Sequence, residues 1–331
     1  MQSSSAPWRI QFRDRKNMNM IKILTLTMNP AIDKSAGVMQ IEPDKKLRCQ
    51  EPIFTPGGGG VNVARAIHNL GGEVRAIYPA GGPTGDMLEQ LLEKEGIYQY
   101  HIKVKNWTRE NVSIIEETTN NQYRFEMPGS PLDEHETTQS LEAVLNESQT
   151  ADYLVASGSL PPGVADDFYA QLAKKTHGTH LKLVVDTSGE SLKKLKGSGL
   201  FLLKPNLREF REFTGLELLS EEDQKRAGCE FVNNGTCEVL VLSLGADGLL
   251  LVTHDFQVRF RSPKVAVKSR IGAGDSTVAG IVLGLTKDMD LKEAVMFGIA
   301  CGASTVMSPG NELCQKDDVE RIFNQIKEEY K

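Results

Sequence analysis

Apolar residues follow two rhythms along the chain, and their alternation predicts the architecture. Short apolar runs recur at 21–28, 73–79, 98–104, 152–156, 181–185, 200–203 and 239–242, each reading as a buried strand. Between them apolar positions fall three and four apart, as in Val61, Ala64, Ile67 and Leu70, which marks an amphipathic helix. The same spacing predicts helices at 86–95, at about 135–147, before His177, and at about 275–286, 291–306 and 317–330, the last three closing the chain. Strand and helix alternating in this way predict an α/β domain with a mostly parallel central sheet flanked by helices. One pair of runs breaks the rhythm. Residues 111–116 and 122–127, joined by Thr118-Thr119-Asn120-Asn121, read as a β-hairpin, and 45–55 offers further strands beside it. A small sheet inserted in a parallel domain is expected to act as a lid, here formed from about 34–56 and 106–127, with its outer face as a dimer surface. A second hairpin is expected at 249–253 and 257–261.

Polar or glycine-rich segments follow strand after strand. They are Asn29-Pro30 with Asp33 beyond, Ser157 to Gly163, Asp186-Thr187-Ser188, Lys204 to Glu209, and Ser243 to Gly248. This places a site along the carboxyl edge of the sheet, where ligands of parallel sheets bind. Asp33 is either an ordinary turn acid or an acceptor for substrate hydroxyls. Gly57 to Gly60 lead straight into a helix, letting backbone approach a ligand closely, and Asn62 in its first turn carries both donor and acceptor. The most informative stretch is Arg270 to Gly280. Gly272, Ala273 and Gly274 run into Asp275 and a small-residue apolar helix, so a turn should open a helix at about Asp275. Unpaired N–H groups and the helix dipole there form an anion hole, suited to the charge on a phosphoryl group in flight. Asp275 either caps that helix or faces the phosphate as a general base.

Composition narrows the chemistry. At 331 residues with 40% hydrophobic content the chain can bury a full core, as one large domain or one with an appendage. A net charge of −6 gives no reason to expect nucleic acid or an anionic membrane as partner, and no apolar run approaches the roughly 18 residues of a membrane span. The five cysteines are scattered, never CxxC, and the six histidines form no metal pattern; free thiols in a reducing cytoplasm are expected. Residues 1–20, serine-rich and basic without an apolar segment, read as a disordered extension outside the fold. Neither GxxxxGK[ST], GxGxxG nor GxSxG occurs, which removes a P-loop, a dinucleotide fingerprint and a nucleophile elbow. Phosphoryl transfer remains. Asn206 and Glu209 are suited to hold Mg²⁺ through waters, and Lys46, Arg48 and Arg109 offer cations to a substrate already carrying phosphate.

These segments together resemble the ribokinase-like (PfkB) carbohydrate kinases across 21–330, and within them the minor-isozyme branch of 6-phosphofructokinases. The resemblance rests on Pro56 to Ala66 and Gly272 to Ser276. It extends to Trp107-Thr108-Arg109, Gln122 to Phe125, Ser157 to Gly163, Lys204-Pro205-Asn206 and Ser243-Leu244-Gly245. It implies a ribokinase-like fold, fructose 6-phosphate as acceptor, ATP–Mg²⁺ as donor, and Asp275 as base toward the sugar 1-hydroxyl. It further implies that Asp33, Gly57, Gly58, Gly59 and Asn62 hold the sugar, with Arg109, Ser159 and Arg48 near the substrate. Lys204, Asn206 and Ser243, Leu244, Gly245, Ala246, Asp247 and Gly248 would lie along the nucleotide, with Glu209 on the metal side. Lys46 would reach the neighbouring subunit's nucleotide in a homodimer. A monovalent cation such as K⁺ would sit near Ser269, Ile271 and Gly310, although Glu312 stands where the branch tends to carry a basic residue. Fructose-1-phosphate and tagatose-6-phosphate kinases of the family usually carry lysine where this chain has Gly59. A non-catalytic sugar-phosphate-binding regulator would need neither Asp275 nor the Asn206–Glu209 pair.

Overall fold

The computed structural model describes residues 21–330, so the expected extension at 1–20 lies outside the described residues. The chain begins with β1 (Ile23–Leu26), β2 (Ala31–Val38), β3 (Ile53–Gly57), α1 (Gly59–Asn69), β4 (Val74–Ala80), α2 (Gly82–Lys94), β5 (Tyr98–Lys103), β6 (Arg109–Glu116) and β7 (Asn121–Phe125). It continues through α3 (Glu134–Glu147), β8 (Tyr153–Ser157), α4 (Phe168–Thr176), β9 (Lys182–Asp186), α5 (Gly189–Lys193), β10 (Leu200–Leu203), α6 (Leu207–Thr214) and α7 (Glu221–Asn233). It closes with β11 (Cys237–Ser243), β12 (Leu249–Val252), β13 (Gln257–Phe260), α8 (Ala273–Thr286), α9 (Leu291–Met307) and α10 (Lys316–Glu329).

Nine strands form one sheet in the order β13-β12-β11-β10-β9-β8-β1-β4-β5. It is parallel from β5 to β11 and antiparallel where the β12–β13 hairpin extends it. Strands buried on both faces carry the apolar runs: every residue of β1 and β8 is buried. Alternate side chains enter opposite cores. Ile23 joins the cluster under α1, α8, α9 and α10, while Leu24 and Leu26 join the one under α3, α4 and α7. Helix α8 is buried without a break from Ser276 to Gly284, as expected of a helix apolar all round. Small residues let α9 approach it: a Cβ on Gly280 would stand 2.8 Å from the Gly298 Cα. This packing holds the start of α8 rigidly at the carboxyl edge of the sheet.

The second sheet, β3-β2-β6-β7, stands where the lid was expected, with the β6–β7 hairpin as predicted. Its composition differs from the sequence reading in two places. Strand occupies only Ile53–Gly57 of the region expected around 45–55. β2, which no alternation announces, runs through Asp33, so that residue stands on a lid strand and not in a turn. In β2 only Ala31, Ile32 and Val38 are buried, and pairing with β3 and β6 makes the strand. Helices α6 and α7 were also unpredicted. Both are rich in charge, and each starts with a reciprocal cap: Asn206 with Glu209, and Ser220 with Asp223. Among the described residues no helix is long and apolar enough to cross a membrane.

Candidate active site

Helix α8 opens at Ala273, two residues earlier than the sequence suggested, behind Gly272 at φ 73°. A side chain there would be strained, which explains glycine at that position. The Ser276 N–H bonds back to the Gly272 carbonyl, and no side chain caps the helix. The N–H groups of Ala273, Gly274 and Asp275 therefore lie before the first intrahelical bond, where the dipole also concentrates positive charge. The Lys204 Nζ lies 3.5 Å from where a Cβ of Gly274 would stand, adding a cation behind this anion hole.

Asp275 does not serve as a cap. Its Oδ2 accepts from Asn62 Nδ2 at 2.9 Å, across the sheet edge from the first turn of α1. Burial pushes its carboxyl from 3.8 up to about 6; Asp186 pushes the same way, while the Asn62 bond and the Lys204 charge pull back. A carboxylate with that affinity for protons is suited to take one from a hydroxyl near neutral pH. Lys204 and Asp186 form a buried ion pair at 3.0 Å. Burial opposes the Lys204 charge, but Asp186, Asp275 and Glu209 outweigh it and hold the ammonium above its ordinary range.

Two cavities meet at this turn. The smaller, about 240 Å³, is lined by Asp33, Gly58, Asn62, Arg109, Gly272 and Asp275. The larger, about 640 Å³, is lined by Asn206, Ser243, Gly245, Ala246, Gly248, Ala273 and Gly274 among others. The segment Arg270 to Asp275 is thus the wall between them, with the acid on one side and Ala273 and Gly274 on the other.

In the smaller cavity Asp33 Oδ1 accepts from Asn111 Nδ2 at 2.9 Å, and burial raises its carboxyl above the usual range. Its space depends on glycine: a Cβ on Gly57 would stand 2.6 Å from Asp33 Oδ2. Arg109 opens β6 and donates from Nη1 to the Met127 carbonyl (2.9 Å) and from Nη2 to the Asn29 carbonyl (3.2 Å). Its Nε is buried and unpartnered. Arg109 thereby ties the end of the lid to the end of β1.

Glu209 and Asn206 cap α6 reciprocally, Glu209 Oε2 accepting from the Asn206 N–H at 2.8 Å. Burial raises the Glu209 carboxyl, the Asn206 bond opposes this, and Asp186 adds like-charge repulsion. Asp186 and Glu209 repel each other although Lys204 stands beside both, and such a pair of acids fits Mg²⁺, which takes one or two carboxylates and completes its shell with phosphate and water. No cage of three acidic, His or Cys groups occurs among the described residues. Near the expected monovalent site the Ile271 N–H donates to Ser269 Oγ at 3.2 Å, and the Asn311 Oδ1, beside Gly310, is buried without a hydrogen-bond partner.

Several sequence-predicted residues stand apart from both cavities. Lys46 and Arg48 are exposed on the loop between β2 and β3. Ser159 accepts from Asn29 Nδ2 at 3.1 Å and lines neither cavity. Gly57, Gly59, Leu244, Asp247, Lys204 and Glu209 are also absent from the linings, the last two acting from behind through charge. Conversely, Asn111, Arg124, Asp186 and Arg270 belong to the site without having been given a role from the sequence, although Asp186 and Arg270 fall in segments that it placed there. Asp186 ends a strand, as other site residues do, and that position was its one visible signal.

Residues 18–318 match the pfkB family carbohydrate kinases. The ATP-dependent 6-phosphofructokinase isozyme 2 of Mycobacterium tuberculosis is 44% identical over 302 residues, 91% of this chain and 89% of that one. Crystal structures of phosphofructokinase-2 from Escherichia coli in complex with potassium and with fructose-6-phosphate are similar, with TM-scores of 0.89 and 0.87 and identities of 41% and 40%. Each of these covers 93% of this chain and 100% of its own.

Proposed function

The chain belongs to the pfkB family of carbohydrate kinases, and from that premise we propose that it is an ATP-dependent 6-phosphofructokinase. It moves the γ-phosphoryl group of ATP to the 1-hydroxyl of fructose 6-phosphate, giving fructose 1,6-bisphosphate in glycolysis. One observation carries this reading: the glycine turn Gly272 to Gly274 separates two cavities and presents Asp275 to one of them. The sugar phosphate occupies the smaller cavity, its hydroxyls held by Asp33 and Asn62. Asp275 takes the proton of the 1-hydroxyl as its oxygen bonds to phosphorus, and the N–H groups at the start of α8 meet the charge on the phosphoryl oxygens. The nucleotide lies along Asn206 and Ser243 to Gly248. Asp186 and Glu209 would hold Mg²⁺, which when bound would offset the charge of the nucleotide's phosphates. K⁺ fits near Ser269, Ile271 and Gly310; the potassium complex of the E. coli enzyme and the unpartnered Asn311 oxygen support it.

A coupled ADP-release assay over sugars and sugar phosphates, in potassium and in tetramethylammonium chloride, tests the reading. Fructose 6-phosphate is expected to be the best acceptor, with turnover higher in potassium. Preference for fructose 1-phosphate or tagatose 6-phosphate would move the chain to those branches of the family, and no turnover at all would make it a binder.

The lid also supports a homodimer. Met39, Ile53, Tyr123 and Phe125 are exposed on or beside its strands, and apolar groups so placed on an open sheet are normally covered by a partner. Light scattering at micromolar concentration should give twice the mass of the chain; an active monomer would end this proposal. The five free cysteines fit a reducing cytoplasm.

A further inference from the structure

We propose that Arg270 is a catalytic residue of this chain, its guanidinium clasping the phosphoryl group as it crosses from nucleotide to sugar phosphate. The inference rests on the kinase reading above. Its first support is position: among the described residues Arg270 alone lines both cavities. It stands two residues before Gly272, at the rim of the anion hole where the transferring group must pass.

The second support is its unspent bonding capacity. Arg270 is exposed and makes no hydrogen bond or ion pair among the described residues. The other cations lining the smaller cavity already have partners, Lys34 lying 5.2 Å from the centre of the Phe54 ring. Arg109 holds two carbonyls, Arg124 pairs with Glu126 at 2.9 Å, and Lys204 pairs with Asp186. Lys264 lines the larger cavity only.

The third support is charge. Asp33, Asp186, Glu209 and Asp275 gather around the path of transfer: Asp33 and Asp186 act on Asp275, and Asp186 acts on Glu209. Arriving phosphates add more negative charge to this group. In the step itself the 1-hydroxyl oxygen bonds to the γ-phosphorus, the bond from phosphorus to the β-phosphate bridging oxygen breaks, and its electron pair stays on ADP. The proton goes to Asp275. Negative charge on the three equatorial oxygens changes character without any proton reaching them, so they need donors that give none up. A guanidinium offers two parallel N–H bonds in a fixed fork, and it stays protonated throughout. Arg270 therefore supplements the backbone donors of α8 from the open side of the hole. Because the side chain is free before substrates bind, ordering it offsets part of the gain. Its effect should fall below the roughly 10³–10⁵-fold of a dedicated arginine finger.

The test compares wild type, Arg270→Ala and Arg270→Lys as full-length proteins in steady-state kinetics with fructose 6-phosphate and Mg–ATP. Binding of a non-hydrolysable ATP analogue is measured by calorimetry alongside. Arg270→Ala is expected to lower kcat about 10²-fold, with both KM values and the analogue's affinity within about threefold. Lysine should recover part of the rate, and added methylguanidinium should partly restore the alanine variant. Unchanged kcat in Arg270→Ala, or a loss confined to KM for fructose 6-phosphate, overturns the proposal; the second outcome would mean that Arg270 holds the sugar's own phosphate. A wild-type enzyme inactive toward every sugar phosphate overturns the kinase reading and this inference together, whereas an active wild type with an equally active variant overturns this inference alone.

Discussion

Replacing Asp275 with asparagine is expected to lower kcat by about 10²–10⁴-fold and at the same time to stabilise the fold at neutral pH. The first effect follows from losing the proton acceptor while Asn62 keeps a partner of the same shape. The second follows from the carboxyl's raised pKa of about 6 against an ordinary 3.8. A group that holds its proton more tightly when folded costs stability once it is ionised. That cost is absent below about pH 4, grows between about 4 and 6, and is complete above 6. Asparagine removes it, so the variant should be more stable by about 1–3 kcal/mol at pH 8, with the advantage gone at pH 4. In the wild type, kcat/KM should fall as pH drops through about 6. Stability curves at two pH values and one pH–rate profile check all three. Wild-type turnover in the variant would leave Asp275 a structural acid, whatever its position.

The second large effect is expected at Arg109, whose truncation to alanine should raise KM for the sugar phosphate about ten- to a hundredfold and KM for ATP far less. Charged hydrogen bonds contribute roughly 1.5–3 kcal/mol each, which sets that scale. Arg109 lines the smaller cavity and is separated from the larger by the turn at Gly272. Its role is double, because the same guanidinium latches the lid through the Met127 and Asn29 carbonyls. Arg109→Lys separates the parts: it keeps the charge but cannot hold both carbonyls in one fork. If lysine restores the sugar phosphate's KM, charge dominates; if it behaves as alanine does, the latch dominates. Free fructose should remain a poor substrate in all three enzymes. Equal use of fructose and fructose 6-phosphate by the wild type, or unmoved KM values in Arg109→Ala, would refute the assignment.

How much of this was legible in the chain alone depends on the range of the interaction concerned. Strands β1, β8, β9, β10 and β11 announce themselves because a parallel strand covered on both faces must be apolar at nearly every position. The turn at Gly272 and the start of α1 were legible for a similar reason: glycine before a helix is a local statement about backbone, and so is the anion hole that results. The order of elements and the character of the site edge follow from such local signals.

Helices α6 and α7 show the limit of local reading. In α6 Leu207, Phe210 and Phe213 fall three apart and pack on the core. The stripe spans only eight residues otherwise rich in charge, so it is easily passed over beside the longer apolar runs, and the helix's caps are the second local signal. β2 goes further, since half-buried small and polar residues become a strand only when β3 and β6 lie alongside. Tertiary structure also decided the electrostatics. Asp186 and Lys204 stand at the ends of neighbouring strands, and only their pairing at 3.0 Å places a buried charge beside Asp275. Asn62 and Asp275 are 213 positions apart and meet at 2.9 Å. The sequence by itself determined which backbone segments could bind an anion, because that depends on residues adjacent in the chain. Which side chains face the anion, and with what affinity for protons, depends on burial and on charges brought from distant strands, and those exist only once the sheet has closed.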